Sequence, residues 1–168
     1  MSKADKVRNI IAYSGGNITG RTKMQKIACL LNLAGFDDDF SFDYRHYGPY
    51  SEELSSTIRE AAILGFINEE EQPTSWGGTY SIYTLKSDEP DLTSPNMQAL
   101  IELANNAPSV VLELATTAAF LGEQGVDDPW KETINRKPEK AENGRIEKAK
   151  ELYLNLQKIN VPKELPSI

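Results

Sequence analysis

The chain has 168 residues, of which 39% are hydrophobic and 26% are charged, and its net charge is -7. These values are typical of a folded globular protein, which at this length needs neither disulfides nor a structural metal to be stable. Cys29 is the single cysteine and no apolar run approaches about 18 residues, which excludes an intrachain disulfide and argues against a membrane span.

Hydrophobic spacing predicts three helices and three strands in the first half of the chain. Their order is helix, helix, strand, helix, strand, strand, with a long polar connection between the last two strands. This order predicts a winged-helix-like region over residues 1–90, in which the polar connection is the wing. The predicted helices cover residues 3–13, 21–34 and 52–64, the strands cover residues 40–44, 66–67 and 80–85, and the connection covers residues 68–79.

The second half, residues 91–168, is predicted to be a helical lobe packed on the first, so that the whole chain forms one domain. The fold class is therefore mainly α with a small β-hairpin, that is, α+β. The predicted helix from Pro108 to Leu121 is apolar on almost all sides, which is typical of a central helix or of an oligomer contact. The predicted helices begin at Pro95, Pro108, Trp130 and Arg145; Gly122 and Gly125 end the second of them, and residues 161–168 are expected to fray.

The polar N-terminal residues, Met1 to Arg8, lack the apolar segment of a secretory signal. Together with the single cysteine, this predicts a cytoplasmic protein. Charge is distributed unevenly along the chain. Residues 1–50 carry seven basic and five acidic groups, residues 51–128 carry two and 14, and residues 129–168 carry nine and six. The acidic middle repels phosphate, although a solvated acidic face explains the same pattern.

The sequence contains no pattern that positions catalytic groups. His46 is the only histidine, and Cys29 lies in the buried second helix, where a thiol behaves as a small apolar group. No zinc-binding cysteine pairs, phosphate loop or dinucleotide glycine pattern is present. The three acids Asp37–Asp39 lack a glycine-punctuated ligand loop and are predicted to be a solvated loop. We therefore predict no catalytic residue, no metal and no cofactor.

The stretch Tyr44-Arg45-His46-Tyr47-Gly48-Pro49-Tyr50 is a candidate partner-binding site. Tyrosine and arginine often anchor interfaces because they bury a large area at a small entropy cost. Gly48 permits a turn that is closed to other residues, and Pro49 restricts the approach to the third helix. A tight corner whose tyrosines pack on the core is an equally open interpretation.

Basic residues form two further candidate contact sets. Arg21, Lys23 and Lys26 cluster at the start of the second helix, where a phosphate or an acidic partner is favoured, although a solvated first turn has the same pattern. Arg136, Lys137 and Lys140 are candidate contacts to phosphate or to an acidic partner.

Several of these stretches resemble the YwgA-like family of bacterial and archaeal proteins and, more distantly, the Panacea domain of SocA-type antitoxins and proteolytic adaptors. The resemblance implies a winged-helix-related fold, no established catalytic residues, and roles in regulation, toxin neutralisation or defence. The matching segments are Ile18-Thr19-Gly20-Arg21-Thr22-Lys23-Met24-Gln25-Lys26-Ile27, then Phe42-x-Tyr44-x-x-Tyr47-Gly48-Pro49-Tyr50-Ser51, then Leu64-Gly65-Phe66-Ile67, Leu112-Glu113-Leu114-Ala115-Thr116-Thr117 and Arg136-Lys137-Pro138.

Three hypotheses about function follow. The first is a non-catalytic interaction module, an adaptor, antitoxin or complex subunit whose partner is another protein or a second copy. The second is a DNA-binding regulator, which the acids of the third helix and of the wing disfavour unless Arg21, Lys23, Lys26, Arg136, Lys137 and Lys140 converge on one surface. The third is an enzyme that uses scattered carboxylates.

Overall fold

Seven helices and five short strands make up the computed structural model, which describes residues 1–168. The α+β class predicted from the sequence is confirmed. No helix has the length and hydrophobicity needed to cross a bilayer. The elements are α1 (Lys3–Tyr13), β1 (Asn17–Thr19), α2 (Arg21–Leu33), β2 (Asp43–Arg45), β3 (Gly48–Tyr50), α3 (Glu52–Ile63), β4 (Ile67–Pro73), β5 (Thr79–Leu85), α4 (Pro95–Asn106), α5 (Ser109–Glu123), α6 (Pro129–Arg136) and α7 (Arg145–Gln157).

Two antiparallel sheets accompany the helices of the first half. The larger sheet has the order β1-β5-β4, with β5 in the centre. β1 and β5 are neighbours in the sheet although α2 and α3 lie between them in the sequence. Ile18, Ile67 and Tyr83 point from these strands into the core. The predicted elements occur in the predicted order, but the structure adds two short strands that were not predicted, β1 before α2 and β3 before α3, and the winged-helix assignment itself stays a prediction.

The β4–β5 connection is shorter than expected. Residues 68–73 and 79 belong to the paired strands, and only residues 74–78 form the turn. The prediction was wrong because three consecutive glutamates are more typical of a loop than of a strand, and residues 69–71 were therefore assigned to the connection. A strand at a sheet edge tolerates them, since its backbone is paired and its side chains reach solvent.

The smaller sheet is a hairpin formed by β2 and β3 with His46 and Tyr47 at its turn. The predicted strand over residues 40–44 is shifted, and β3 was not foreseen because Gly48-Pro49 was taken only as a break in the chain. A proline is tolerated here because both strands of a two-stranded ladder are edges. Tyr44 pairs with Pro49 across this ladder.

Helix α5 lies at the centre of the fold. Every residue from Val111 to Leu121 is buried within the chain, against α2, α6, α7 and β3. A single hydrophobic cluster contains residues from both halves of the chain, among them Ile27, Leu54, Leu114 and Leu156. The near-uniform hydrophobicity of α5 is therefore satisfied inside one molecule.

The C-terminal tail packs against the body of the protein, which corrects the expectation that residues 161–168 fray. Lys163 N donates to the Ala34 carbonyl over 2.9 Å, and the Tyr153 hydroxyl donates to the Pro166 carbonyl. Gly122 is the last residue but one of α5, and Gly125, with φ +85°, follows the end of the helix as predicted. A Cβ at position 122 would collide with the side chain of Ile168. Leu165, only 7% exposed, belongs to the core cluster.

We expect Leu165→Ala to lower the free energy of unfolding by about 2–4 kcal/mol, because a buried leucine is replaced by a cavity. Urea denaturation measures this loss. Glu164→Ala, which alters the exposed neighbouring residue, is the control and is expected to change stability by less than about 0.5 kcal/mol. Equal stability of the two variants would mean that the tail is not packed as described.

Candidate interaction site

The β2–β3 hairpin, residues 43–50, has a buried base and an exposed tip. Gly48 and Pro49 are buried, whereas Arg45, His46 and Tyr47 are exposed, with 62% of Tyr47 accessible. Tyr44 and Tyr50 are half-buried. The two interpretations of this stretch, a packed corner and a recognition surface, thus apply to different residues of one hairpin.

Helix α2 holds the base of the hairpin through two buried polar side chains. Gln25 Oε1 accepts from Ser51 N over 2.8 Å, and Gln25 Nε2 donates to the Ser51 carbonyl over 2.9 Å. Lys26 Nζ donates to the Pro49 carbonyl over 2.7 Å. These bonds join the lysine-containing helix directly to the Gly-Pro-Tyr-Ser segment, so the two stretches form one structural unit.

Gly48 is the point where the hairpin approaches α5 most closely. Its φ is +85°, in the region that favours glycine, and a Cβ at this position would lie 2.5 Å from Thr117 Oγ1 and 3.6 Å from Lys26 Nζ. Thr117 is fully buried. A side chain at position 48 would therefore be both strained and in collision with α5.

The segment that links α6 to α7 holds the hairpin from the other side. Lys137 and Lys140 both donate to Glu113 Oε2 of α5, over 2.9 Å and 2.7 Å. Lys137 also donates to the His46 carbonyl over 3.3 Å. The side chains of Glu113 and Lys137 are each 4% exposed, so this ion pair is screened little by solvent.

Four cations lie over the tyrosine rings of the hairpin, the most distant being Lys137, whose Nζ is 5.9 Å from the centre of the Tyr44 ring. The Arg136 guanidinium is 4.5 Å from the centre of the Tyr44 ring, and Lys140 Nζ is 4.8 Å from that of Tyr47. Arg45 lies 5.2 Å from the centre of the Tyr50 ring. Such contacts contribute about 0.5–1 kcal/mol each at exposed sites, and they orient the rings without covering them.

Burial lowers the pKa of Lys26 to about 8, because the ammonium loses its hydration and Glu113 offsets only part of that loss. The amine is therefore mostly protonated at neutral pH. Burial also raises the pKa of Cys29 to about 12, which keeps the thiol protonated. Cys29 has the inert character expected of a core cysteine.

The structure corrects the predicted role of several basic residues. Lys26 and Lys137 were predicted to contact a partner, but both are buried because their ammonium groups hold the hairpin from inside. Lys23 donates to the carbonyls of Asn105 and Ala107 and so supplies hydrogen bonds to the free carbonyls at the C-terminal end of α4. Arg21 forms ion pairs with Glu69 and Glu71 of β4.

Of the predicted contact residues, the structure brings Arg136 and Lys140 next to the exposed hairpin tip. Gln25, Glu113 and Thr117, which position the hairpin, were missed by the sequence analysis. The detectable signal was Glu113, the one acid within the largely apolar stretch 110–121 of helix α5. A buried carboxylate requires a cationic partner, which points to a basic segment elsewhere in the chain.

The loop acids Asp37, Asp38 and Asp39 place one oxygen each within 4.8 Å of one another. Lys6 forms ion pairs with Asp37 and Asp39. The cluster is thus partly neutralised by the chain's own ammonium group, and it lends no support to a metal site.

A relative in Bacillus subtilis (strain 168) shares 35% identity with this chain over 121 residues, which are 69% of this chain and 72% of the relative. That relative carries the name "Uncharacterized protein YwgA". The chain belongs to the YwgA family. No family profile and no solved structure matches it. The resemblance to YwgA-like proteins is confirmed, whereas the similarity to the Panacea domain stays a prediction.

For this YwgA-family protein we expect Gly48→Ala to be more destabilising than Gly65→Ala, by about 1–3 kcal/mol. Both glycines have positive φ, +85° and +78°, but an added Cβ meets nothing within 4 Å at Gly65. The difference in unfolding free energy therefore isolates the collision with Thr117. Thr117→Ala in the Gly48→Ala background is expected to recover part of the loss, and equal effects at the two glycines would refute the close approach.

Stability is also expected to depend on the ionisation of Lys26. Between about pH 8 and pH 10.5 the unfolded chain keeps the proton that the native protein has lost, so the unfolding free energy rises with pH through this window. The total rise is about 3 kcal/mol, because each unit of pKa shift corresponds to about 1.4 kcal/mol.

The measurement is the gap in unfolding free energy between the native sequence and Lys26→Met, followed by denaturation from pH 7 to pH 11. Other groups titrate in both proteins and cancel in the gap. Lys131→Met, which removes an exposed lysine, is the control and is expected to show a constant gap. A constant gap for Lys26→Met as well would contradict the lowered pKa.

Proposed function

We propose that this protein is a non-catalytic interaction module, an adaptor, antitoxin-like protein or subunit of a regulatory or defence complex, and that the tip of the β2–β3 hairpin contacts its partner. The partner is another protein or a second copy of the chain. The observation that carries the proposal is an exposed Tyr47, flanked by Arg45 and His46, on a base held by buried hydrogen bonds from Gln25 and Lys26. A cytoplasmic location is part of the same proposal, consistent with the free, buried Cys29.

The rigidity of the base is what makes the tip suited to recognition. An aromatic side chain that is already oriented loses little conformational freedom on binding, so more of its contact energy appears as affinity. Lys140 holds the Tyr47 ring from one side and leaves the other accessible. The tip thus combines an exposed aromatic ring with two polar neighbours that add hydrogen-bonding specificity.

The alternative, a winged-helix DNA-binding regulator, is supported by the element order and the β1-β5-β4 sheet. Charge argues against it. The exposed residues of α3 include Glu52, Glu53 and Glu60 against Arg59 alone, and β4 carries three consecutive glutamates. The condition that would have rescued this hypothesis is not met, because Lys26 and Lys137 are buried and Arg21 is paired with β4.

The third hypothesis, an enzyme using scattered carboxylates, gains no support from the site. Glu113 is the one buried carboxylate next to the hairpin, and it forms ion pairs with both Lys137 and Lys140. A general base requires a free lone pair within reach of substrate, and this carboxylate faces the protein interior.

Co-purification of the full chain at native expression level tests the proposal. We expect a protein partner, or a second copy detected by light scattering, at fixed stoichiometry. Tyr47→Ala is expected to weaken the association by at least about tenfold, since central aromatic anchors contribute about 2 kcal/mol or more. Tyr80→Ala, which removes an exposed tyrosine from β5, is the matched control and is expected to retain the partner.

A monomer that elutes without any partner would count against the proposal. So would an association that survives both Tyr47→Ala and Arg45→Ala. Because both side chains are exposed, thermal unfolding of each variant is expected to match that of the native protein, which separates lost binding from lost folding.

A further inference from the structure

The buried side of the hairpin contains more positive than negative charge. Glu113 forms ion pairs with both Lys137 and Lys140, and no other carboxylate pairs with either lysine. Lys26 lies in the same assembly, bonded to the neutral Pro49 carbonyl, and forms no ion pair with a carboxylate. One carboxylate therefore serves three ammonium groups.

Two of these three lysines, Lys137 and Lys140, line a depression beside the hairpin tip. The depression has a volume of about 350 Å³ and is lined by His46, Arg136, Lys137, Pro138, Glu139 and Lys140. A second depression, larger and more open, is lined by Tyr44, Arg45, His46 and Arg136 and so shares His46 and Arg136 with the first. Lys137 thus lines the surface while its ammonium group remains bonded inside.

The acids near the depression differ from the cations in how firmly they are held. Glu139 lines the depression with an exposed side chain that forms no ion pair, while Glu132 pairs with Arg136 and Glu52 lies 3.8 Å from Arg45, with the side chains of these two pairs 35–68% exposed. Exposed pairs contribute little and are screened by salt. The ammonium groups of Lys137 and Lys140 are fixed by a buried carboxylate, so their field at the depression is less screened.

We propose that this depression binds an oxyanion, a carboxylate or a phosphoryl group, carried by a segment of the protein partner. The inference rests on the proposed function and names the chemistry of the partner. Arg136 supplies a forked guanidinium at the rim, and Lys140 supplies a fixed ammonium at the wall. Tyr47 then packs against the apolar part of the same segment.

Calorimetric titration of the full chain with synthetic peptides of about eight residues tests this inference. One peptide carries four glutamates, a second carries glutamines in their place, and a third carries one phosphoserine in the glutamine background. We expect the glutamate or the phosphoserine peptide to bind in low salt, and the glutamine peptide not to bind. Which of the two acidic peptides binds more tightly identifies the carboxylate or the phosphoryl group as the source of the oxyanion.

Arg136→Gln is expected to weaken the binding of the acidic peptide at least fivefold. Lys131→Gln removes the same charge from the same helix, at an exposed position that forms no ion pair, and is expected to leave the affinity within twofold. Equal losses in the two variants would overturn the site, because they would show a non-specific charge effect. Acidic peptides that bind no better than the glutamine peptide in about 50 mM salt would also overturn it.

The two proposals fail separately. A partner that depends on Tyr47 while no acidic peptide binds would leave the interaction module standing and overturn the oxyanion site. Acidic peptides that bind through Arg136 while no partner co-purifies would support the oxyanion site and count against the interaction module.

Discussion

The hydrogen bond from the buried Lys26 ammonium to the Pro49 carbonyl is the interaction on which the candidate site depends. A charged amine at 1% exposure is unfavourable unless it is well bonded, and here it joins α2 to the hairpin next to α5. Gly48 has no side chain, and this absence lets the hairpin come close enough for the bond to form. The carboxylate of Glu113 then compensates part of the charge from the far side of the cluster.

This buried cluster explains how one short hairpin combines packing with recognition. Its base is attached to α2 through Gln25 and Lys26, and the backbone of its turn is attached to the α6–α7 connection through the bond from Lys137 to the His46 carbonyl. The side chain of Tyr47 in that turn remains exposed. A rigid base and an accessible aromatic tip are the combination that favours binding at low entropy cost.

The uneven charge along the chain also acquires a physical meaning in the folded protein. The acids of β4 partly neutralise Arg21 at the start of α2, so a basic cluster that looked available for phosphate is paired internally. The basic C-terminal segment instead packs beside the hairpin, where Arg136 and Lys140 meet the tyrosines. Where unpaired positive charge lies on the folded protein therefore depends on which segments of the chain pack together, and not on the local composition of each segment.

Helical periodicity, serine caps and glycine stops are local signals, and they were enough to predict the fold class and the seven helices, although the short strands β1 and β3 were not predicted. The cap of α3 at Ser51 and the buried character of α5 follow from them directly. The sequence also showed which stretch is unusual, residues 44–50. The burial of Lys26 and Lys137, and the position of Arg136 and Lys140 beside the exposed tip, arise only when distant segments of the chain pack together. Those outcomes depend on contacts between residues up to 91 positions apart, such as Lys137 with His46, and no local pattern encodes such a pairing. The paired edge strand β4 and the docked tail were misjudged for the same reason, since polar residues look irregular until a distant partner supplies their hydrogen bonds.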